Sequence, residues 1–158
     1  MMLDLVEDVA GAAAGTKRIL VVDDQPDVRE ALRLLLKGAG YSVQTAASPG
    51  DALAAVASWD FDLIILDMNF TWDTTSGEEG LHLLNQLPAG APIITMTGWS
   101  SIELAVEAMQ RGACDFIPKP WDNRRFLSVV RRHLEAKPRN AELLMARSVQ
   151  RRRQAKWI

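Results

Sequence analysis

The sequence predicts an α/β fold built on an open, doubly wound parallel sheet, and two observations carry that prediction. Short branched apolar runs, Ile19–Val22, Leu63–Leu66, Ile93–Met96 and Phe116–Pro118, read as strands buried on both faces. Each run then ends in a chemically useful side chain: Asp23 and Asp24, Asp67, Thr97, and Lys119 followed by Pro120. In such a sheet the carboxyl ends of the strands open onto the ligand crevice, so three carboxylates, a hydroxyl and an ammonium are expected around one small space.

Residues 1–16 are acidic at first and then small, through Ala10-Gly11-Ala12-Ala13-Ala14-Gly15, and read as a flexible lead-in. A secretory leader would need a basic start and a longer apolar centre. No run has the length of a membrane span, so a cytoplasmic protein without membrane contact is expected. The 158 residues, 48% hydrophobic and 24% charged, suit one domain over 17–136 plus appendages.

After the first strand, Asp23 to Asp27 form a polar turn, and Val28, Ala31, Leu32, Leu35 and Leu36 mark one helical face. Gly38 and Gly40 end that helix. The turn has no G-x-G-x-x-G, which argues against a dinucleotide fold. Tyr41–Ala46 reads as the second strand, and Ser48-Pro49-Gly50-Asp51 opens a helix with Ala52, Leu53, Val56 and Ala57 inward. Leu81, Leu83, Leu84 and Leu87 mark the next helix. Ser100 or Ser101 caps a further one that runs to Gln110, with Val106 and Met109 inward and Ile102 and Leu104 partly outward. The last helix starts at Trp121-Asp122-Asn123, with Phe126, Val129, Val130 and Leu134 inward and Arg124, Arg125, Arg131 and Arg132 outward. Cys114, the one cysteine, is expected as a buried thiol, and His82 and His133 as surface residues.

Three crowded carboxylates repel, and a hard cation with oxygen ligands, such as Mg²⁺, relieves them. A carboxylate oxygen left over is a nucleophile, with Asp67 the best candidate, while Lys119 and Thr97 stand ready for phosphoryl oxygens.

Val21-Val22-Asp23-Asp24, Leu66-Asp67-Met68-Asn69, Thr97-Gly98 and Lys119-Pro120, in this order and spacing, resemble the CheY-like receiver domain of bacterial two-component response regulators. The likeness covers Lys17 to Glu135. It implies five parallel strands flanked by five helices, a phosphoryl group accepted by Asp67 from a histidine kinase, and no turnover of an outside substrate. It also implies Mg²⁺ held by Asp23, Asp24, Asp67 and the main-chain carbonyl of Asn69. Thr97 and Lys119 would bind the phosphoryl oxygens, across a cis Lys119–Pro120 bond. Thr97 and Phe116 would form the switch, read out on the face made by the fourth helix, fifth strand and fifth helix, through which a homodimer would form. Asn69 and Trp99 fall where receivers tune phosphoryl lifetime; Trp99 either shields the group from water or only packs near its helix.

The segment from Asn69 to Glu79 departs from the family pattern. It is about five residues longer than the usual bridge and lacks its proline; Phe70 and Trp72 on it either gate the crevice or cover a local apolar patch.

The tail, 137–158, changes sign. Seven bases (Lys137, Arg139, Arg147, Arg151, Arg152, Arg153 and Lys156) face Glu142, a net of +6, while residues 1–136 hold eleven bases and nineteen acids, a net of −8. Ala141, Leu144, Met145 and Val149 sit at helical spacing, so the tail is expected to be a basic helical linker, able to dimerise, ahead of a contact with the acidic body or a weak DNA or membrane-surface binder. Ile94 to Pro120 is similar to receivers of NtrC-like transcriptional activators, in which such a helix leads to output domains. Those domains are not among these residues, which leaves a piece of a longer regulator or a stand-alone one. Two other readings stay open. An aspartate-nucleophile phosphatase would want a second Asp where Asn69 stands. A phosphorylation-independent module would grip DNA or a partner through its tail.

Overall fold

The structure, a computed structural model, describes residues 15–68, 78–88, 90–98 and 102–135. Strands β1 (Arg18–Val22), β2 (Ser42–Ala46), β3 (Leu63–Asp67), β4 (Ile93–Thr97) and β5 (Asp115–Pro118) alternate with helices α1 (Pro26–Gly38), α2 (Pro49–Ser58), α3 (Glu78–Gln86), α4 (Ile102–Gln110) and α5 (Asn123–Glu135). All pairings are parallel, in the order β2-β1-β3-β4-β5. The five-stranded doubly wound sheet expected from the sequence is therefore present. The chain first winds outward from β1 to β2 and then returns through β3, so the order reverses beside β1 and β3, where this class of sheet opens its crevice.

Strand alternation sorts the core into two layers. Leu20, Val22, Ile64, Leu66 and Ile93 pack on one side with Ala52 and Ala55 of α2, Leu81, Leu83 and Leu84 of α3, and Ala108 of α4. On the other, Ile19, Val21, Leu63, Ile65, Ile94 and Met96 meet Leu32 and Leu36 of α1 and Phe126, Val130 and Leu134 of α5. A central strand must be apolar on both faces, and β3 is buried from end to end.

The helix ends follow their local chemistry. Ser48 caps α2 by accepting the Asp51 N–H at 3.1 Å, with Pro49 in the first turn. Asp122 accepts the Arg125 N–H at 3.1 Å at the start of α5. Beyond α1, Gly40 takes a φ of 97°, which a side chain would resist.

Several side chains lie differently from the expected pattern. In α4, Ala105 and Ala108 are buried, whereas Val106 is 50% and Met109 37% exposed; Leu104 packs partly inward. Ala31 and Ala57 are exposed, and Ala55 takes an inward place. Helices lying close on a sheet need small residues at the contact, so alanine displaces larger apolar groups from the seam. Cys114 is half-buried against the second core layer. Residues 1–14 of the lead-in, residues 69–77 of the long loop, Trp99, the Ser100 and Ser101 caps and the basic tail lie outside the described residues.

Candidate functional site

β1 carries the chain to Asp23, whose N–H donates to Ala46 O at 3.0 Å, extending the β1–β2 ladder by one residue. The chain then turns. Asp23 Oδ1 accepts the Gln25 N–H at 2.9 Å, and Arg29, one turn into α1, donates from Nη1 to the Asp23 carbonyl at 2.8 Å. Asp23 is thus fixed at both ends and is only 1% exposed. Asp67 closes β3 at the same depth, also 1% exposed, and its register partner on β4 is Met96, one residue before the buried Thr97.

Asp23, Asp24 and Asp67 each bring a carboxylate oxygen into a group whose members all lie within 4.8 Å of one another. Lys119 arrives from beyond β5. Its N–H donates to Thr97 O at 2.8 Å, and its Nζ donates to Asp23 Oδ2 at 2.8 Å and Asp67 Oδ1 at 3.0 Å. The Lys119–Pro120 bond is cis. Burial alone would lower the pKa of Lys119, but the negative charge of Asp67 and the hydrogen bond to Asp23 outweigh it and hold the ammonium above its ordinary value.

The donor set suits a hard divalent cation. Asp24 Oδ1 and Asp67 Oδ2 are buried and accept no hydrogen bond, although both residues make other contacts. Buried carboxylate oxygens in that condition are costly without a positive charge beside them, and oxygen ligands of this kind match Mg²⁺. Asp23, Asp24, Asp67, Thr97 and Lys119 therefore share one end of the sheet, as expected. Asn69 and Trp99 lie outside the described residues, so their expected places are not among these contacts. Phe116 is on β5 beside β4, paired in register with Thr95, and its side chain is 40% exposed.

A profile of the response regulator receiver domain matches residues 19–131 of this chain. The chain belongs to that family. The chain is 37% identical over 117 residues to the nitrogen assimilation regulatory protein NtrX of Azorhizobium caulinodans, covering 74% of this chain and 26% of that protein. It is 38% identical over 133 residues to the transcriptional regulatory protein ZraR of Salmonella typhimurium, covering 84% and 30%. Among solved structures, the receiver domain of NtrX from Brucella abortus superposes with a TM-score of 0.68 at 36% identity, over 74% of this chain and 98% of that one. The receiver thus spans under a third of the curated relatives' length and nearly all of an isolated receiver domain.

Two features had no sequence expectation or the wrong one. Arg29 carries no expectation from the sequence, and its contact is with the main-chain carbonyl of Asp23 rather than with a carboxylate. His133, expected on the surface, is half-buried and lies with Nε2 3.0 Å from Asp115 Oδ2, which also accepts Arg132 Nη2 at 2.7 Å. The Phe116 N–H donates to the other oxygen, Asp115 Oδ1, at 2.8 Å. Burial would raise the pKa of Asp115, but the His133 hydrogen bond, the Phe116 N–H and Arg132 bring it below the usual carboxylate value. His82 is exposed, as expected.

Proposed function

We propose that the receiver accepts a phosphoryl group on Asp67 from the phosphohistidine of a sensor kinase, and that the modification controls an output. The observation that carries this reading is the meeting of Asp23, Asp24 and Asp67 within 4.8 Å, with Lys119 bridging Asp23 and Asp67 across 96 and 52 residues of sequence. Asp23, Asp24, Asp67 and the Asn69 carbonyl would hold Mg²⁺. When bound, that ion neutralises the acids and draws a phosphoryl oxygen toward the site.

In the transfer, a carboxylate oxygen of Asp67 attacks phosphorus in line with the leaving nitrogen. The P–N bond breaks as the P–O bond forms, and the electron pair departs with the imidazole, which takes a proton from solvent. Lys119 exchanges part of its hold on the carboxylates for a phosphoryl oxygen, and the Thr97 hydroxyl donates to another. Asp23, fixed by Gln25 and Arg29, keeps its place while the charge changes. Asn69 and Trp99, two residues past the acceptor and past Thr97 in the sequence, would tune the lifetime of the acyl phosphate.

Thr97 drawn toward the phosphoryl group makes room for Phe116 to turn inward, which changes the face formed by α4, β5 and α5. Ile102, Val106 and Phe116 are 70%, 50% and 40% exposed there, and this apolar strip supports a homodimer whose population phosphorylation shifts. ZraR is named as a transcriptional regulatory protein and both relatives are much longer, so control of transcription through an attached output domain is the reading they support. The basic tail is then the linker.

The test is incubation with Mg²⁺ and a small acyl phosphate, read by intact mass and by sedimentation. The wild type gains one phosphoryl group and shifts toward dimer; Asp67→Asn does neither. Phosphorylation of Asp67→Asn to the wild-type extent overturns the assignment.

A further inference from the structure

Gly80 sits in the first turn of α3, buried, in a helix where glycine is less favourable than alanine. A cost of that kind calls for a packing reason, and the structure supplies one. A Cβ built on Gly80 would lie 2.9 Å from the Met68 Cα, 3.1 Å from its Sδ and 3.2 Å from its Cε. The sulfur and terminal methyl could yield, because methionine is flexible, but the Cα is main chain. Met68 is fully buried, and its N–H donates to Met96 O at 3.0 Å, so it is held from the β4 side as well. It directly follows Asp67 and directly precedes Asn69.

We propose that Gly80 is a positioning residue for the acid site: its missing side chain lets α3 press against the main chain of Met68 and so fixes the height of Asp67 against Asp23, Asp24 and Lys119. The role in phosphorylation rests on the function proposed above; the role in setting carboxylate geometry does not. A methyl group at Gly80 forces either the helix or the Met68 main chain to move. The β4 hydrogen bond ties any shift of Met68 to Asp67, and misplacement by a fraction of an ångström is felt by a cation with strict coordination geometry.

Gly80→Ala in the full chain is compared with the wild type and with Leu83→Ala, which opens a cavity in the same core layer but adds no atom against the Met68 main chain. Mg²⁺ affinity is read by calorimetry, phosphorylation by intact mass with a small acyl phosphate, and folding by urea titration. Gly80→Ala is expected to weaken Mg²⁺ binding and slow phosphorylation about tenfold or more, while Leu83→Ala loses stability with Mg²⁺ affinity near wild type. If Gly80→Ala does not fold, Gly80→Ala with Met68→Ala removes the sulfur and methyl contacts and keeps the main-chain one; its Mg²⁺ affinity should remain below that of Met68→Ala alone. Wild-type Mg²⁺ affinity in Gly80→Ala, equal losses in Leu83→Ala, equal affinities in the last pair, or failure of both Gly80 variants to fold each overturn the proposal. A wild type that binds Mg²⁺ but takes no phosphoryl group overturns the function proposed above and leaves the Mg²⁺ comparison standing.

Discussion

Two groups of acids in this receiver use the same chemistry in opposite proportions. At the strand ends, Asp23, Asp24 and Asp67 converge within 4.8 Å, and the Lys119 ammonium bridges two of them. On β5, the single carboxylate of Asp115 receives the Arg132 guanidinium, the His133 ring and the Phe116 N–H. Like charges about 4 Å apart repel by about 4 kcal/mol at an effective dielectric constant near 20, several times the net worth of an ordinary hydrogen bond. The first group is therefore crowded with negative charge and the second is well supplied with donors. A crowded group is poised to take in a cation or a phosphoryl group, whereas a supplied one holds two elements together, here β5 and α5.

The comparison predicts opposite signs for the same change of Asp to Asn. The largest effect is expected from Asp24→Asn, which removes one oxygen ligand and one negative charge. Mg²⁺ affinity should fall on the order of a hundredfold, and the metal-free protein should become more stable by about 1 kcal/mol. Calorimetry reads the first effect and urea denaturation in chelator the second. The wild type should also gain about 2.7 kcal/mol at Mg²⁺ a hundredfold above its dissociation constant, and the variant should lose that gain. A less stable metal-free Asp24→Asn would mean that the acids are not in excess.

Lys119→Met sharpens the same contrast from the cationic side. Without the ammonium, no lysine bridges the carboxylates of Asp23 and Asp67. Breaking a buried pair costs about 3–5 kcal/mol, and the lysine side chain is 20% exposed, so a loss of about 2 kcal/mol is expected in the metal-free protein. Mg²⁺ affinity should rise, because the ion no longer competes with Nζ for the Asp23 and Asp67 oxygens. Weaker Mg²⁺ binding in this variant would show that Lys119 organises the acids rather than competing for them.

The crowded group was legible in the sequence because the rule that creates it is local and repeated. Four of the five strands carry an apolar run, each run ends at the crevice side, and the polar residue at that end is read directly: Asp23, Asp67, Thr97, Lys119. The supplied group was not legible. Asp115 and His133 are 18 residues apart on different elements, and no spacing rule marks them. The inner face of α4 was misjudged for another reason. Hydrophobicity ranks Val106 and Met109 above Ala105 and Ala108, but close approach of a helix to a sheet rewards small volume, which periodicity does not weigh. Gly80 stands just ahead of Leu81, where the apolar pattern of its helix begins, and its meaning depended on where Met68 would be.

The smallest expected effect belongs to Asp115→Asn, and its pH dependence distinguishes a holding role from a binding one. The folded pKa of Asp115 lies below its ordinary 3.8, so the folded state binds its proton less readily than the unfolded chain does. The stability it contributes is fully present above that unfolded value and is lost as pH falls through the lowered folded pKa. Arg132 is largely exposed, which screens part of the interaction, and about 1 kcal/mol at neutral pH is expected. Urea titrations should show wild type above Asp115→Asn at neutral pH, with the gap closing once the pH is taken well below 3.8. Mg²⁺ affinity should not change, because Asp115 is not among the clustered acids. A gap that persists at low pH would assign the loss to packing rather than to charge. A gain in stability at neutral pH would place Asp115 with the crowded acids and remove the distinction between the two groups.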